Sequence, residues 1–114
     1  MNQHAEASCP MDALLRILMG PWTTYILWLL EQQGPRRFNA LRALIPGISA
    51  KMLTERLRHL EAAGLVHRDH RPTIPPTVTY SLTARGHELS AVLERLATLA
   101  ISWDEQDRDT RKSA

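Results

Sequence analysis

A chain of 114 residues, 44% hydrophobic and 23% charged, has the size and make-up of one globular domain able to bury roughly two thirds of its unfolded surface. Its net charge of +2 is too small to identify a partner, and a single cysteine excludes an intramolecular disulfide framework. The longest apolar run, Tyr25 to Leu30, is too short to cross a bilayer, and no basic-then-apolar signal opens the chain, so a cytoplasmic protein without a membrane partner is expected.

Residues 1-8 lack periodicity and read as a mobile leader. Cys9 and Pro10 then open a short helix through Met19, with proline suited to the first turn and Leu14, Ile17 and Leu18 on one side. Gly20 and Pro21 stop it. The next segment, Trp22 to Gln33, is apolar around nearly its whole circumference, as expected of a helix at the centre of a bundle. Packing accounts for Trp22, Tyr25 and Trp28, and the sequence assigns no site there. Gly34 and Pro35 end this helix, Arg36 to Phe38 adds a short extended segment, and Asn39 is placed to cap a two-turn helix with Leu41, Leu44 and Ile45 pointing inward.

Pro46 and Gly47 break the chain again before its most cleanly divided stretch. Ser49 can cap a helix that Gly64 ends, with Leu53, Leu57 and Leu60 on one side and Lys51, Thr54, Glu55 and Arg58 on the other. Two helices about a tight turn make a helix-turn-helix. Beyond Gly64, Leu65 to Arg71 and Thr77 to Leu82 alternate as strands around a proline-stiffened loop. Helix-turn-helix followed by a hairpin is the order of a winged helix, with Arg71, Thr73 and Thr77 near the wing tip. The fold class is therefore mainly α with a small β-hairpin.

Thr83 can cap a last helix whose apolar stripe runs through Leu89, Val92, Leu93, Leu96, Leu99, Ala100 and Trp103. Leu96, Leu99 and Trp103 lie beyond the hairpin, so a homodimer is expected. Folding of this helix back onto its own domain is the alternative. The winged helix and its dimerisation helices are expected to fill residues 9-103, followed by a polar, frayed tail over 104-114.

Charge is gathered where the helix-turn-helix lies. Between Gly34 and Pro72 eight basic residues face three acidic ones, whereas the segment from Asp104 to Asp109 holds four carboxylates. This suggests a footprint for phosphates, with double-stranded DNA as partner. On that reading Lys51, Thr54, Glu55 and Arg58 are candidates for base readout: lysine or arginine pairs with guanine, glutamate accepts from cytosine, and the threonine methyl meets thymine. Glu55 can instead orient Arg58, three residues on. Ser49, Arg36, Arg37, Arg71 and Thr77 are backbone candidates, which position without specifying. A solvated amphipathic face accounts for any one of these residues singly.

The order of motifs resembles the HxlR-type family of bacterial winged-helix transcription regulators. The resemblance spans Cys9 to about Trp103. It is carried by Cys9-Pro10, Gly20 with Trp22, RRFNALRALIPGIS with KMLTERLRHLEAAGLV, and PPTVTYSLTARG. It implies a dimer on a palindromic operator, the Ser49 to Arg58 face in the major groove, the wing on adjacent backbone, and an interface built from the first and last helices, with Leu14, Leu18, Leu96, Leu99 and Trp103 as its candidates. Pro21 stands where many members have lysine, and Ala40 and Thr79 stand where an acidic residue is common, so operator and inducer do not transfer.

Several members of the resembled family sense oxidants or electrophiles through a cysteine at the position of Cys9. At a helix N-terminus unpaired amides favour negative charge on sulfur, although Asp12 opposes it and lone cysteines are often buried hydrophobes. A redox or electrophile effector acting at Cys9 is therefore one expectation. A small-molecule-responsive regulator with a dimer groove lined by Trp22, Trp28 and Trp103 is another, and a protein-binding winged-helix module without specific DNA binding is a third. His67 and His70 fall on opposite faces of a strand, and no ligand set for a metal, no cofactor motif and no catalytic constellation is read.

Overall fold

A computed structural model describes residues 9–113, so the expected leader lies outside the described residues. The elements are α1 (Pro10–Leu18), α2 (Thr23–Gln33), β1 (Arg36–Arg37), α3 (Phe38–Leu44), α4 (Ala50–Ala62), β2 (Val66–Arg71), β3 (Thr77–Leu82) and α5 (Ala84–Ser113). They form a mainly helical winged helix-turn-helix. The wing is larger than the expected hairpin: β1 joins it to give an antiparallel sheet in the order β1-β3-β2, with Arg36 opposite Tyr80 and Arg37 opposite Thr79.

The core sits where α2, α3, α4 and the sheet meet. Ile26, Leu27 and Leu30 of α2, Leu41 and Ile45, and Leu53, Leu57 and Leu60 of α4 are all buried. Each buried leucine or isoleucine contributes about 1.5–3 kcal/mol of burial free energy. Val66, Leu82 and Leu89 close the core from the sheet and from the start of α5.

Two expectations about helix ends change. Asn39 lies within α3 rather than at its start, because β1 pairing holds Arg37 extended and the chain turns helical directly after it, without a side-chain cap. Leu44 is exposed, since a seven-residue helix turns only Leu41 fully inward and its C-cap Ile45 supplies the second core contact. The outward face of α2 also differs. Trp22, Tyr25 and Trp28 are substantially exposed, so this helix is buried on one side and not around its circumference.

α5 neither folds back nor frays at Asp104 among the described residues. It continues to Ser113, and its polar end is supported by an Arg108–Asp104 pair at 2.9 Å one turn apart. Thirty residues make a rod of about 45 Å, against a long dimension of 63 Å for the chain. No single described helix is long and apolar enough to cross a membrane.

Candidate nucleic-acid interface

The α4 helix is fixed at both ends. The Ser49 hydroxyl oxygen accepts from the Met52 amide at 3.0 Å. At the other end Gly64 takes φ +77°, the Leu65 amide donates to the Leu60 carbonyl and the Gly64 amide to the Glu61 carbonyl, both at 2.9 Å. That pair of bonds is the Schellman arrangement, which satisfies carbonyls left over at a helix end. The turn before α4 is tied as well: Gly47 has φ +85°, and Arg42 Nε donates to the Ile48 carbonyl at 3.4 Å. With Leu53, Leu57 and Leu60 buried, the helix presents a determined face to solvent.

Lys51 and Arg58 are exposed on that face and make no side-chain bond among the described residues. Thr54 donates its hydroxyl to the Ala50 carbonyl at 2.8 Å, which leaves its methyl and a lone pair to the outside. Glu55 leans toward Arg56 at 4.0 Å rather than orienting Arg58. Arg56 is the basic residue that the charge count misplaces. Its side chain is 15% exposed, its Nε is buried without a partner, and its guanidinium lies against Gly20, so it adds nothing to the outer face.

The backbone candidates divide in the same way. Ser49 can donate its hydroxyl proton outward while its oxygen caps α4. Arg37 is exposed. Arg36 is held back by the Pro35 carbonyl at 2.8 Å and Gln33 Oε1 at 3.2 Å. Arg71 at the wing is shared with Asp69 at 3.2 Å, and Thr77 faces it across the last register pair.

A polar groove of about 300 Å³ between α4 and the sheet gathers Thr54, Arg58, Glu61, Arg68 and Tyr80. Arg68 and Tyr80 are lining residues that the sequence did not single out. Strand alternation carries the signal for Arg68: it shares a face with buried Val66, and that face is turned to α4.

Cys9 is the exposed N-cap residue of α1, without a side-chain cap bond. Asp12, expected to oppose negative charge there, is paired with Arg16 at 3.0 Å. Leu14 and Leu18 pack on the chain's own core, because they share the inward face of α1 with Ile17. The outward face holds Met11, Leu15 and Met19 instead. Leu96, Leu99 and Trp103 are exposed, as their place beyond the sheet implied. Among the described residues no group of three or more His, Cys, Asp or Glu side chains gathers to hold a metal ion.

Comparison with known proteins agrees with this geometry. The HxlR-like helix-turn-helix family model matches residues 17–108. An HTH-type transcriptional regulator of Synechocystis, sll1512, is 43% identical over 99 residues, covering 87% of this chain and 73% of that protein. The reduced form of the transcriptional regulator YodB from Bacillus subtilis superposes with a TM-score of 0.72 at 38% identity, covering 81% of this chain and 90% of that one. The redox regulator HypR in its oxidised form gives 0.72 at 36% identity, covering 82% and 96%.

Proposed function

The chain belongs to the HxlR-like helix-turn-helix family of transcription regulators, and from that premise we propose that it is a homodimer that reads a palindromic operator with α4. The observation that carries this reading is the face of α4: capped by Ser49, anchored by three buried leucines, and presenting Lys51, Thr54, Glu55 and Arg58 outward. A packed module that bound only protein would have no need of two outward cations, without side-chain partners among the described residues, on a helix capped at both ends.

Lys51, Thr54, Glu55 and Arg58 read bases, and Ser49, Arg37, Arg71 and Thr77 hold phosphates. Arg36, whose donors are engaged, contributes charge. The second subunit meets the outward stripe of α5 together with Met11 and Leu15 of α1 and its C-cap Met19. Residues 9-103 make up the regulatory domain, and the polar helical extension from 104 onward lies outside it.

The test is a gel shift on the upstream intergenic DNA and on random DNA over a range of salt. Arg58→Ala is expected to lose about 1–3 kcal/mol on operator and little on random DNA. Arg71→Ala is expected to weaken both alike and to lower the salt slope by about 1. Equal loss on both DNAs for Arg58→Ala would remove it from base readout. Absence of any specific binding by the parent would favour the protein-binding alternative.

The exposed sulfur at the α1 N-cap, with YodB and HypR among the similar structures, supports a redox or electrophile signal entering through Cys9. Diamide is expected to release the parent from operator and a thiol to restore it, while Cys9→Ser stays bound throughout. A Cys9→Ser variant that responds as the parent does makes the cysteine structural.

A further inference from the structure

Between α2 and α5 lies an open groove of about 470 Å³, within the roughly 300–1,000 Å³ range of small-molecule sites. Its floor is apolar, from Leu93, Ala97 and Ile101. One wall is formed by Tyr25 and Trp28, whose rings lie nearly parallel, 10° apart, with centroids 5.9 Å from each other. Among the described residues of the lining, the charged side chain is Glu94, on the wall that α5 supplies. Trp22 and Trp103 do not line it, so the groove is not the three-tryptophan cleft expected from sequence.

The groove also faces away from the stripe assigned to the second subunit. At about 100° per residue the mean direction of Leu93, Glu94, Ala97 and Ile101 lies roughly 150° around α5 from that of Val92, Leu96, Leu99 and Trp103. A second subunit seated on the latter would lie on the opposite side of α5 from the groove, so that each chain would keep its own.

We propose that this groove is an effector site for a planar aromatic cation, one per chain. The parallel Tyr25–Trp28 rings offer an aromatic face for stacking and for cation–π attraction, the floor takes the apolar ring edges, and Glu94 supplies the counter-charge. Neutral ring systems would gain the stacking alone, and anions would meet a carboxylate with no cation on the lining to offset it. The site also touches the DNA-reading unit. The Tyr25 hydroxyl donates to the Leu44 carbonyl in a long bond of 3.5 Å, and Leu44 is the last residue of α3, just before the turn into α4. A ligand that shifts Tyr25 shifts the support of that turn. The effector role rests on the regulator reading, whereas occupancy of the groove does not.

Binding is tested by calorimetric titration of the full chain, without DNA, against N-methylquinolinium and against 1-naphthoate, a bicyclic of similar size and opposite charge. The expected result is saturable binding of one quinolinium per chain and at least tenfold weaker binding of naphthoate. Glu94→Gln and Trp28→Ala are each expected to weaken quinolinium binding about tenfold. Both positions are exposed, and circular dichroism checks that both variants fold. The absence of saturable binding, equal affinity for the two probes, or an unaffected Glu94→Gln variant overturns the site; occupation of the groove by the partner's helix would give the first of these. In gel shifts quinolinium is expected to change operator affinity of the parent and not of Glu94→Gln. Bound quinolinium that leaves operator affinity unchanged overturns the effector role. A parent that never binds operator fails the regulator reading instead, and calorimetry still decides the site.

Discussion

If the proposed homodimer joins through α5, replacing Leu96 and Leu99 together by glutamate is expected to leave folded monomers and to weaken operator binding more than a hundredfold. Val92, Leu96, Leu99 and Trp103 are 53%, 55%, 43% and 58% exposed in the single chain. Their four-three-four spacing is the repeat of a coiled-coil seam. A contiguous apolar stripe of this kind marks an interaction surface, and α5 does not bend back to cover it. Two glutamates on that stripe would face their own copies across a two-fold axis, where burial of like charges opposes association. The loss on operator follows from linkage: once one half-site is held, the second binds at an effective concentration that can raise avidity by about 10²–10⁴, and monomers forgo that gain. Sedimentation gives the oligomeric state and circular dichroism the fold. A double variant that remains a dimer would move the interface away from α5.

The features readable in the sequence were those fixed by local chemistry. Ser49 before an apolar repeat, the three leucines at helical spacing and Gly64 at the end defined α4 because capping, periodicity and a positive φ all act within a few residues. The features that were not readable depend on contacts made at a distance. Arg56 carries the same charge as Arg58, and only the approach of Gly20 shows that it is turned inward. Arg36 and Arg37 were legible as extended, but not their pairing, which depends on the edge that Thr79 and Tyr80 offer. Leu14 and Leu18 were legible as an apolar pair but not as inward-facing, since α1 has apolar residues on both sides and tertiary packing decides which side is covered. Tyr25 and Trp28 read as core for the same reason. Periodicity reports that a helix is apolar all round without saying how many neighbours it has.

Gly86→Ala is expected to destabilise the chain by about 2 kcal/mol net and to lower its midpoint of thermal unfolding by roughly 10 °C. Substitution of alanine for glycine within a helix usually helps, by about 1 kcal/mol, so the sign of this prediction rests on sterics. A methyl at Gly86 would overlap the Leu65 carbonyl oxygen and crowd the Leu82 side chain at 3.1–3.2 Å. The obstructing oxygen belongs to backbone that cannot swing aside. It accepts from the Thr83 amide at 3.0 Å, while the Thr83 hydroxyl donates to the Gly64 carbonyl at 2.6 Å and accepts from the Gly86 amide at 3.1 Å. These bonds seat α5 on the end of α4 and the start of β2. Overpacking at such a site costs about 3 kcal/mol, the upper part of the usual range, and outweighs the helical gain. The same seat sets the angle at which α5 leaves the domain, and with it the distance between the two copies of α4 in a dimer joined through α5. Gly86→Ala is therefore expected to weaken operator binding even at temperatures where the chain remains folded, with binding to random DNA little changed. Differential scanning calorimetry and gel shifts on the one variant separate the two effects. Unfolding at or above the parent's temperature would show that α5 stands further from β2 than this contact implies, and a destabilised variant with unchanged operator affinity would uncouple the seat of α5 from the spacing of the reading heads.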